Sequence, residues 1–567
     1  MLSLLPILQR NSVHRNNKEL KSGKMMVETK LFKYEPSDSD MLSAVGAILR
    51  DGGIAGIPTE TVYGLAANAF DGKAVAKIFK AKGRPQDNPL IVHISDISQL
   101  DSVVSHIPPS AYALAEKFWP GPLSIIMPKG ERIPNEVSCG LDTVAVRMPS
   151  HPAARDIISA AGVPLAAPSA NLSGSPSPTT AQHVIDDMWG RADAIVDGGM
   201  CDVGVESTVV SLVGKKPRLL RPGGVSLEQL ESVLGEVEVD SAVLAELEPG
   251  QKAASPGMKY KHYSPKARVI IIKGSFDNYR RFVMGKKDCA ALCFDGEGDK
   301  LDIPFIEIGR EHDSTAQAHL IFDVLRKLDE MGVDTAYARC PDTDGVGLAV
   351  INRLLRAAAF TVLDVDGAML IGLTGATGSG KSTVAKMLCE KYGFAHIDCD
   401  KIAREITADG SPVLSQLAQA FGEDIIRDDM SLDRALLASR AFACEQATKL
   451  LNSITHPIIT SKALAKVKDF TLEGKTAVLL DAAAIFESKI DKLCSFTAVV
   501  SAPEEARKAR IIERDLITAE KAEERIRAQL SDGEYERNAD VIIANFPPHN
   551  IETEIQKLIQ KYEEKRQ

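Results

Sequence analysis

Two short stretches of this chain carry residue types at spacings that suit phosphate chemistry. In the first, Gly375, Gly378, Gly380, Lys381 and Ser382 satisfy G-x-x-x-x-G-K-[ST]. Glycines in such a loop let backbone N–H groups turn inward around a phosphate. Lys381 then reaches the outer phosphates and Ser382 offers its hydroxyl to Mg²⁺. Ser379 and Thr383 belong to the same candidate nucleotide-binding set. In the second stretch, Lys82 and Arg84 flank Gly83 and precede Pro85, so two cations share one constrained loop. That arrangement suits a polyphosphate.

The elements around the first stretch divide the chain. Leu370, Ile371 and Leu373 read as a short buried strand, and Val384, Ala385 and Leu388 recur at helical spacing. The order is strand, phosphate loop, helix, and the helix N-terminus adds partial positive charge. A phosphate-loop domain normally begins with this strand, so nearly two thirds of the 567 residues must fold as something else. A chain of this length suggests three or so domains.

A hydrophobic content of 44% and a charged content of 25% are ordinary for chains that bury their own cores. No apolar run approaches the ~20 residues that cross a bilayer, so no membrane association is expected. The net charge of -10 gives no global attraction for nucleic acid, and no strong direct nucleic-acid binding is expected. Nine cysteines, without histidines at metal-site spacing, read as free thiols in a reducing cytoplasm. The basic stretch ahead of Met25 reads as a disordered extension, with a transit peptide or signal remnant as the competing reading.

Upstream, the strand Ile54–Ile57 delivers Pro58 to Leu65, and a second strand runs from Ile91 to Ile94. Then follow the strand Thr143–Arg147, the small-residue loop Ala167–Ser177, Glu206–Val210 and Leu220–Gly224. Taken singly these are turns and caps, because Ser, Asn, Pro and Gly are common turn residues. In order, they resemble the threonylcarbamoyl-adenylate synthase family built on the YrdC-like domain, over roughly Leu31 to Val365. The family's K-x-R and S-x-N motifs stand here as Lys82-Gly83-Arg84 and Ser169-Ala170-Asn171.

The resemblance implies an open twisted α/β domain with a basic pocket where L-threonine, bicarbonate and ATP become threonylcarbamoyl-AMP and pyrophosphate. In that reaction the threonine amine captures carbon dioxide or bicarbonate as a carbamate, whose oxygen attacks the α-phosphorus of ATP while pyrophosphate leaves. No covalent nucleophile is needed, and positioning with opposing cations carries the step. By the same resemblance Thr61, His93, Arg147 and Ser207 surround the amino acid, while Lys82, Arg84, Asn88, Ser169, Asn171, Ser177 and Arg221 surround the nucleotide. His93 lies in an apolar strand, so a satisfied core histidine is the competing reading.

The proline-bracketed stretch Ser255–Pro265 resembles the long-form synthase's interdomain linker, which implies a lid and places His262 at the substrate. Ala267 to Val365 alternates strands and helices as a small α/β domain, with Asp342 and Asp344 expected to be solvated in a turn.

From Leu370 to Lys561 the chain resembles dephospho-coenzyme A kinase. Asp400, in Asp398-Cys399-Asp400, is expected to orient or deprotonate the acceptor hydroxyl, with a helix N-cap as the alternative reading. In the resemblance Thr455-His456-Pro457 belongs to the substrate-side helices, and Asp481, which ends a buried strand, is expected as a second-layer partner for Mg²⁺. The family's proline-containing segment before Phe486-Glu487 is replaced by Ala482-Ala483-Ala484-Ile485. Arg510 and Arg514 stand one helical turn apart and, in the resemblance, neutralise the transferring phosphoryl group from a lid. Asn545 is expected near adenine.

The expected organisation is a basic extension (1–30), a YrdC-like α/β domain (31–250), a linker or lid (251–266), a small Rossmann-like α/β domain (267–366) and a P-loop kinase domain with a parallel sheet (369–567). The expected function is bifunctional and cytoplasmic. ATP, L-threonine, bicarbonate and dephospho-CoA are the substrates, Mg²⁺ accompanies ATP, and tRNA threonylcarbamoyl-transferase proteins act downstream. Two alternatives compete: an RNA-binding upstream half beside a single active kinase, and a phosphate-loop half acting as a regulatory ATPase.

Overall fold

The computed structural model of the chain describes residues 27–244, 265–527 and 529–566. It divides into two compact units. Of the described residues, the first comprises those up to Pro265 with His312–Lys327 and Pro341–Arg353; the second holds Lys266–Glu311, Leu328–Cys340 and those from Leu354 onward.

The first unit is built on a mixed sheet. Its strands are β1 (Lys30–Lys33), β2 (Ala55–Ile57), β3 (Gly64–Asn68), β4 (Ile91–His93), β5 (Leu123–Pro128), β6 (Thr143–Arg147), β7 (Leu165–Ala166), β8 (Ala194–Asp197), β9 (Thr208–Ser211), β10 (Arg218–Arg221) and β11 (Glu238–Val239). They lie in the order β1-β8-β2-β3-β7-β4-β6-β5-β9-β10-β11.

Alternation decides which side chains can do chemistry. Val92, Val144, Val146, Leu123, Ile125 and Val210 enter the main apolar core. Ile91, Ala145, Ile126 and Val209 form a smaller cluster on the other face. His93 and Arg147 share that second face by parity, and they are register partners across β4 and β6. After β10 a helix covers Leu227–Leu234 and stops at Gly235, ahead of β11.

The second unit holds two parallel sheets. β12 (Arg268–Lys273), β13 (Cys289–Cys293), β14 (Phe305–Glu307), β15 (Thr335–Arg339) and β16 (Val362–Asp364) lie in the order β14-β13-β15-β12-β16. β17 (Met369–Thr374), β18 (Ala395–Asp398), β19 (Ala477–Asp481), β20 (Phe496–Ser501) and β21 (Val541–Ala544) lie in the order β18-β19-β17-β20-β21. Near-continuous apolar runs such as Ala477–Leu480 fit strands covered on both faces. One apolar core runs from Ile270 and Tyr337 of the small sheet through Ala368 and Leu370 to Leu480, Leu493 and Cys494.

All nine cysteines are free thiols. No helix of the described residues is long and apolar enough to cross a membrane.

Candidate active sites

In the first unit a narrow cavity of about 60 Å³ gathers Thr61, Lys82, Arg84, His93, Arg147, Ser169, Asn171, Ser207 and Arg221. Local structure explains how two of the cations arrive. The helix Gly72–Lys82 ends on Gly83 in the left-handed conformation (φ 63°), and the N–H of Arg84 turns back to the carbonyl of Phe79 at 3.0 Å. Lys82 and Arg84 thereby meet at one wall. Arg221 arrives by a different device: the β9–β10 register shifts between Leu219 and Arg221, and such a bulge re-aims a side chain.

The cations are already engaged. Lys82 is buried, and its Nζ donates to the Ser169 carbonyl, to the Asn171 carbonyl at 2.7 Å and to Asn171 Oδ1 at 3.2 Å. Burial and then Arg84 push its pKa well down, yet the acceptors around Nζ are matched to the three N–H bonds of an ammonium. Lys82 thus fastens the S-x-N loop from beneath. Arg147 donates to Thr61 Oγ1 at 2.9 Å and to the Gly121 carbonyl at 3.2 Å. Its Nη2 also lies 2.7 Å from Glu60 Oε1, an ion pair whose angle is poor for a hydrogen bond. Arg221 donates to the Ser207 carbonyl and to Ser207 Oγ, each at 3.0 Å.

His93 is no satisfied core histidine. Its Nδ1 is buried without a hydrogen-bond partner, and burial followed by the Arg147 charge lowers its pKa to about 3. It lines the cavity as a neutral imidazole.

Two of the expected nucleotide residues stand behind the wall. Ser177 is fully buried and donates to Glu206 Oε1 at 2.8 Å. Asn88 is fully buried and accepts from Arg84 through its carbonyl at 3.1 Å. His262 lies outside the described residues.

Sequence reasoning missed Glu206 and Arg353. Arg353 is fully buried and donates through Nε to Glu206 Oε2 at 2.6 Å and through Nη2 to the Pro222 carbonyl at 3.2 Å. Burial raises the Glu206 pKa, but Arg353 and Arg221 outweigh it and hold the carboxyl at about 2. Asn352 and Arg353 interrupt the apolar run Leu348–Leu355, a signal the sequence did offer.

In the second unit the phosphate loop follows β17 directly. Gly378 and Gly380 have φ of 83° and 99°. A Cβ on Gly380 would lie 2.1 Å from Asn545 Nδ2, so a side chain there would push the Asn545 amide aside as well as strain the left-handed backbone. Lys381 Nζ donates to the Gly375 carbonyl at 2.8 Å, folding back over the loop. Ser379 is buried and its Oγ has no partner. Arg510 donates to the carbonyls of Gly378 (3.1 Å), Ser379 (3.3 Å) and Asn545 (2.8 Å). Asn545 braces the loop through a 2.7 Å bond to the Ser379 carbonyl. Arg514 is not brought to this loop: it is largely exposed and paired with Asp515 at 2.8 Å.

The N-cap reading of Asp400 is overturned. Asp398 caps the helix Cys399–Ile406, accepting from Lys401 N at 2.7 Å, which leaves the Asp400 carboxylate free for other work. Asp400 accepts from Ala483 N at 3.3 Å, and burial raises its pKa despite Lys381 nearby. It lines a cavity of about 340 Å³ with apolar walls from Leu432, Leu437, Phe442 and Ile459, joined by Thr455 and His456. In the small α/β region, Asp342 is not simply solvated, since it contacts His312 Nδ1 at 2.8 Å.

A cation-lined slot in an open α/β sheet, and a phosphate loop beside an apolar acceptor cavity, define enzymes that act on nucleotide phosphates, the second of them a kinase. Family models agree. One described as "Telomere recombination" matches residues 47–223. That for the threonylcarbamoyl-AMP synthase C-terminal domain matches 225–359, and that for dephospho-CoA kinase 369–548. The threonylcarbamoyl-AMP synthase of Pyrococcus abyssi is 45% identical over 56% of this chain and 94% of its own length. The dephospho-CoA kinase of Corynebacterium glutamicum is 38% identical over 33% of this chain and 94% of its own. A crystal structure of P. abyssi Sua5 in complex with L-threonine, 41% identical, covers 59% of this chain and 99% of that one at a TM-score of 0.55. The chain belongs to the threonylcarbamoyl-AMP synthase family in its upstream part and to the dephospho-CoA kinase family in its C-terminal part.

Proposed function

We propose that one polypeptide cuts ATP in two different ways. The upstream site joins L-threonine, bicarbonate and ATP into threonylcarbamoyl-AMP with release of pyrophosphate. The C-terminal site transfers the γ-phosphoryl group to the 3′-hydroxyl of dephospho-CoA. The observation that carries the first reading is the meeting of Lys82, Arg84, Arg147 and Arg221 with Ser169 and Asn171 around one cavity.

In the upstream site Arg147, Thr61 and Ser207 hold the amino acid, and neutral His93 accepts a hydrogen bond without competing for charge. Arg84 and Arg221 face the charge that develops as the carbamate oxygen attacks the α-phosphorus. Lys82 keeps the Ser169–Asn171 loop in place beneath the nucleotide.

In the kinase site the phosphate-loop N–H groups, Lys381 and Arg510 hold the transferring phosphoryl group. Asp400, with its raised pKa, orients the ribose hydroxyl and takes its proton. The apolar walls receive the pantetheine arm. Ser382 and Asp481 are hard oxygen donors of the kind Mg²⁺ takes, and no cluster of three ligating side chains exists among the described residues. That suits an ion held largely by phosphates and water. When bound, Mg²⁺ neutralises charge on the β- and γ-phosphates. The free thiols fit a reducing cytoplasm, and the transfer of the product to tRNA falls to other proteins.

Two product assays on the full chain test this. Threonine- and bicarbonate-dependent pyrophosphate release is expected; its absence would favour an RNA-binding module upstream. Mass spectrometry should find dephospho-CoA converted to coenzyme A; ATP hydrolysis without that product would make the C-terminal part a regulatory ATPase.

A further inference from the structure

The loop that follows β19 has two sides. On one side Ala482, Ala484, Ser488 and Ile490 line the acceptor cavity, and Ala483 N meets Asp400 at 3.3 Å. On the other, its carbonyls are taken by side chains of the small sheet. Arg268 Nη1 donates to the Lys489 carbonyl at 2.5 Å, Tyr337 OH to the Lys492 carbonyl at 3.1 Å and Lys286 Nζ to the Cys494 carbonyl at 2.7 Å. The Lys489 ammonium also pairs with Asp334. All four small-sheet residues and the loop lie in the same compact unit.

This is the segment in which the kinase family's proline-containing stretch is replaced by three alanines. Alanines fix no backbone geometry, so the loop must be shaped from outside. Lys489 holds a left-handed backbone (φ 58°), which a lysine adopts only when its surroundings impose it. The donors are themselves held firmly. Tyr337 is fully buried and packs edge-on against Phe282 at 5.4 Å, and Lys286 sits 4.3 Å over the Phe282 ring. Arg268 stands near enough to His456, on the cavity wall, to add to burial in lowering that imidazole's pKa.

We infer that Arg268, Tyr337 and Lys286 of the small α/β region are positioning residues for the kinase reaction, holding the 484–494 loop in the shape that receives dephospho-CoA. The inference rests on the kinase reading above. It gives the small sheet a part in acceptor binding and none in ATP binding, since the phosphate loop is braced by Arg510, Asn545 and Gln529 instead.

Steady-state kinetics of the full chain test it, with Tyr337→Phe, Arg268→Met and Arg268→Lys. Tyr337→Phe keeps the buried ring and removes only the hydroxyl. KM for dephospho-CoA is expected to rise roughly five- to ten-fold for each lost bond. kcat and KM for ATP should stay within about two-fold, threonine-dependent pyrophosphate release should be unchanged, and Arg268→Lys should recover much of the loss. An unaltered KM for dephospho-CoA in Tyr337→Phe at the parent's melting temperature would overturn the inference. Equal losses for both substrates would do so too. If the parent chain itself fails to phosphorylate dephospho-CoA, the kinase reading falls and takes this inference with it.

Discussion

The two cavities are built of opposite materials. The upstream one is a slot of about 60 Å³ in which Lys82, Arg147 and Arg221 are buried and already bonded to protein oxygens. The kinase acceptor cavity has about 340 Å³, within the ~300–1,000 Å³ of ordinary small-molecule sites, and its walls are mostly apolar. A ligand entering the slot must replace intramolecular partners, so its binding is an exchange of hydrogen bonds. A ligand entering the kinase cavity displaces water from apolar surface and is oriented by few polar groups. Substitutions should therefore act on folding and chemistry together upstream, and on chemistry alone in the kinase.

The sharpest break in that comparison is Lys381→Ala. Coenzyme A formation should fall roughly 10³-fold while threonine-dependent pyrophosphate release persists, read by parallel product assays on one preparation. Asp400→Asn should cost roughly 10²–10⁴ in kcat with little change in melting temperature. Because burial raises the Asp400 pKa, the wild-type kinase rate should fall on the acid side from a pH above the ordinary aspartate value of about 4.

Arg353→Met should do the reverse, lowering the stability of the first unit by about 3–5 kcal/mol because buried Glu206 loses its direct ion-pair partner and keeps only the Ser177 hydroxyl and the charge of Arg221. Chemical denaturation would measure it, and adding Glu206→Gln should recover part of the loss. Synthase activity should follow that stability, while kinase activity in the folded fraction stays intact.

A smaller effect concerns acid. His93 is neutral in the fold down to about pH 3 but takes a proton near 6.5 when unfolded, so stability falls as pH drops between those values. Glu206, at about 2 against an ordinary 4.5, adds stability above 4.5 that is lost as pH falls toward 2. Melting temperature against pH should decline through both windows, and His93→Gln should flatten the upper one. The smallest change is expected from Ala438→Val on the cavity wall. One added methyl pair should shift KM for dephospho-CoA only about two- to five-fold.

Much of this was legible where chemistry sits inside a short segment. The phosphate loop needs its glycines within a few residues of Lys381, and Gly83 sits between the two cations it arranges. What could not be read depends on distant partners. Glu206 and Arg353 are 147 positions apart and meet only in the fold. Arg221 reaches the cavity through a bulge that no residue type announces. Asp398 and Asp400 are equally good caps in sequence, and only the helix start chose between them. Ser177 and Asn88 sit in the right loops but face inward, because exposure depends on packing and not on motif membership.

The join between β16 and β17 is only residues 365–368 long, and Leu363, Ala368 and Leu370 all lie in one shared core. A protease that nicked the backbone there would not release a free kinase, because the parted pieces would still adhere through that oily seam. Degradation of the small sheet and of the phosphotransfer domain is therefore expected to be concerted, with neither surviving long as an orphan.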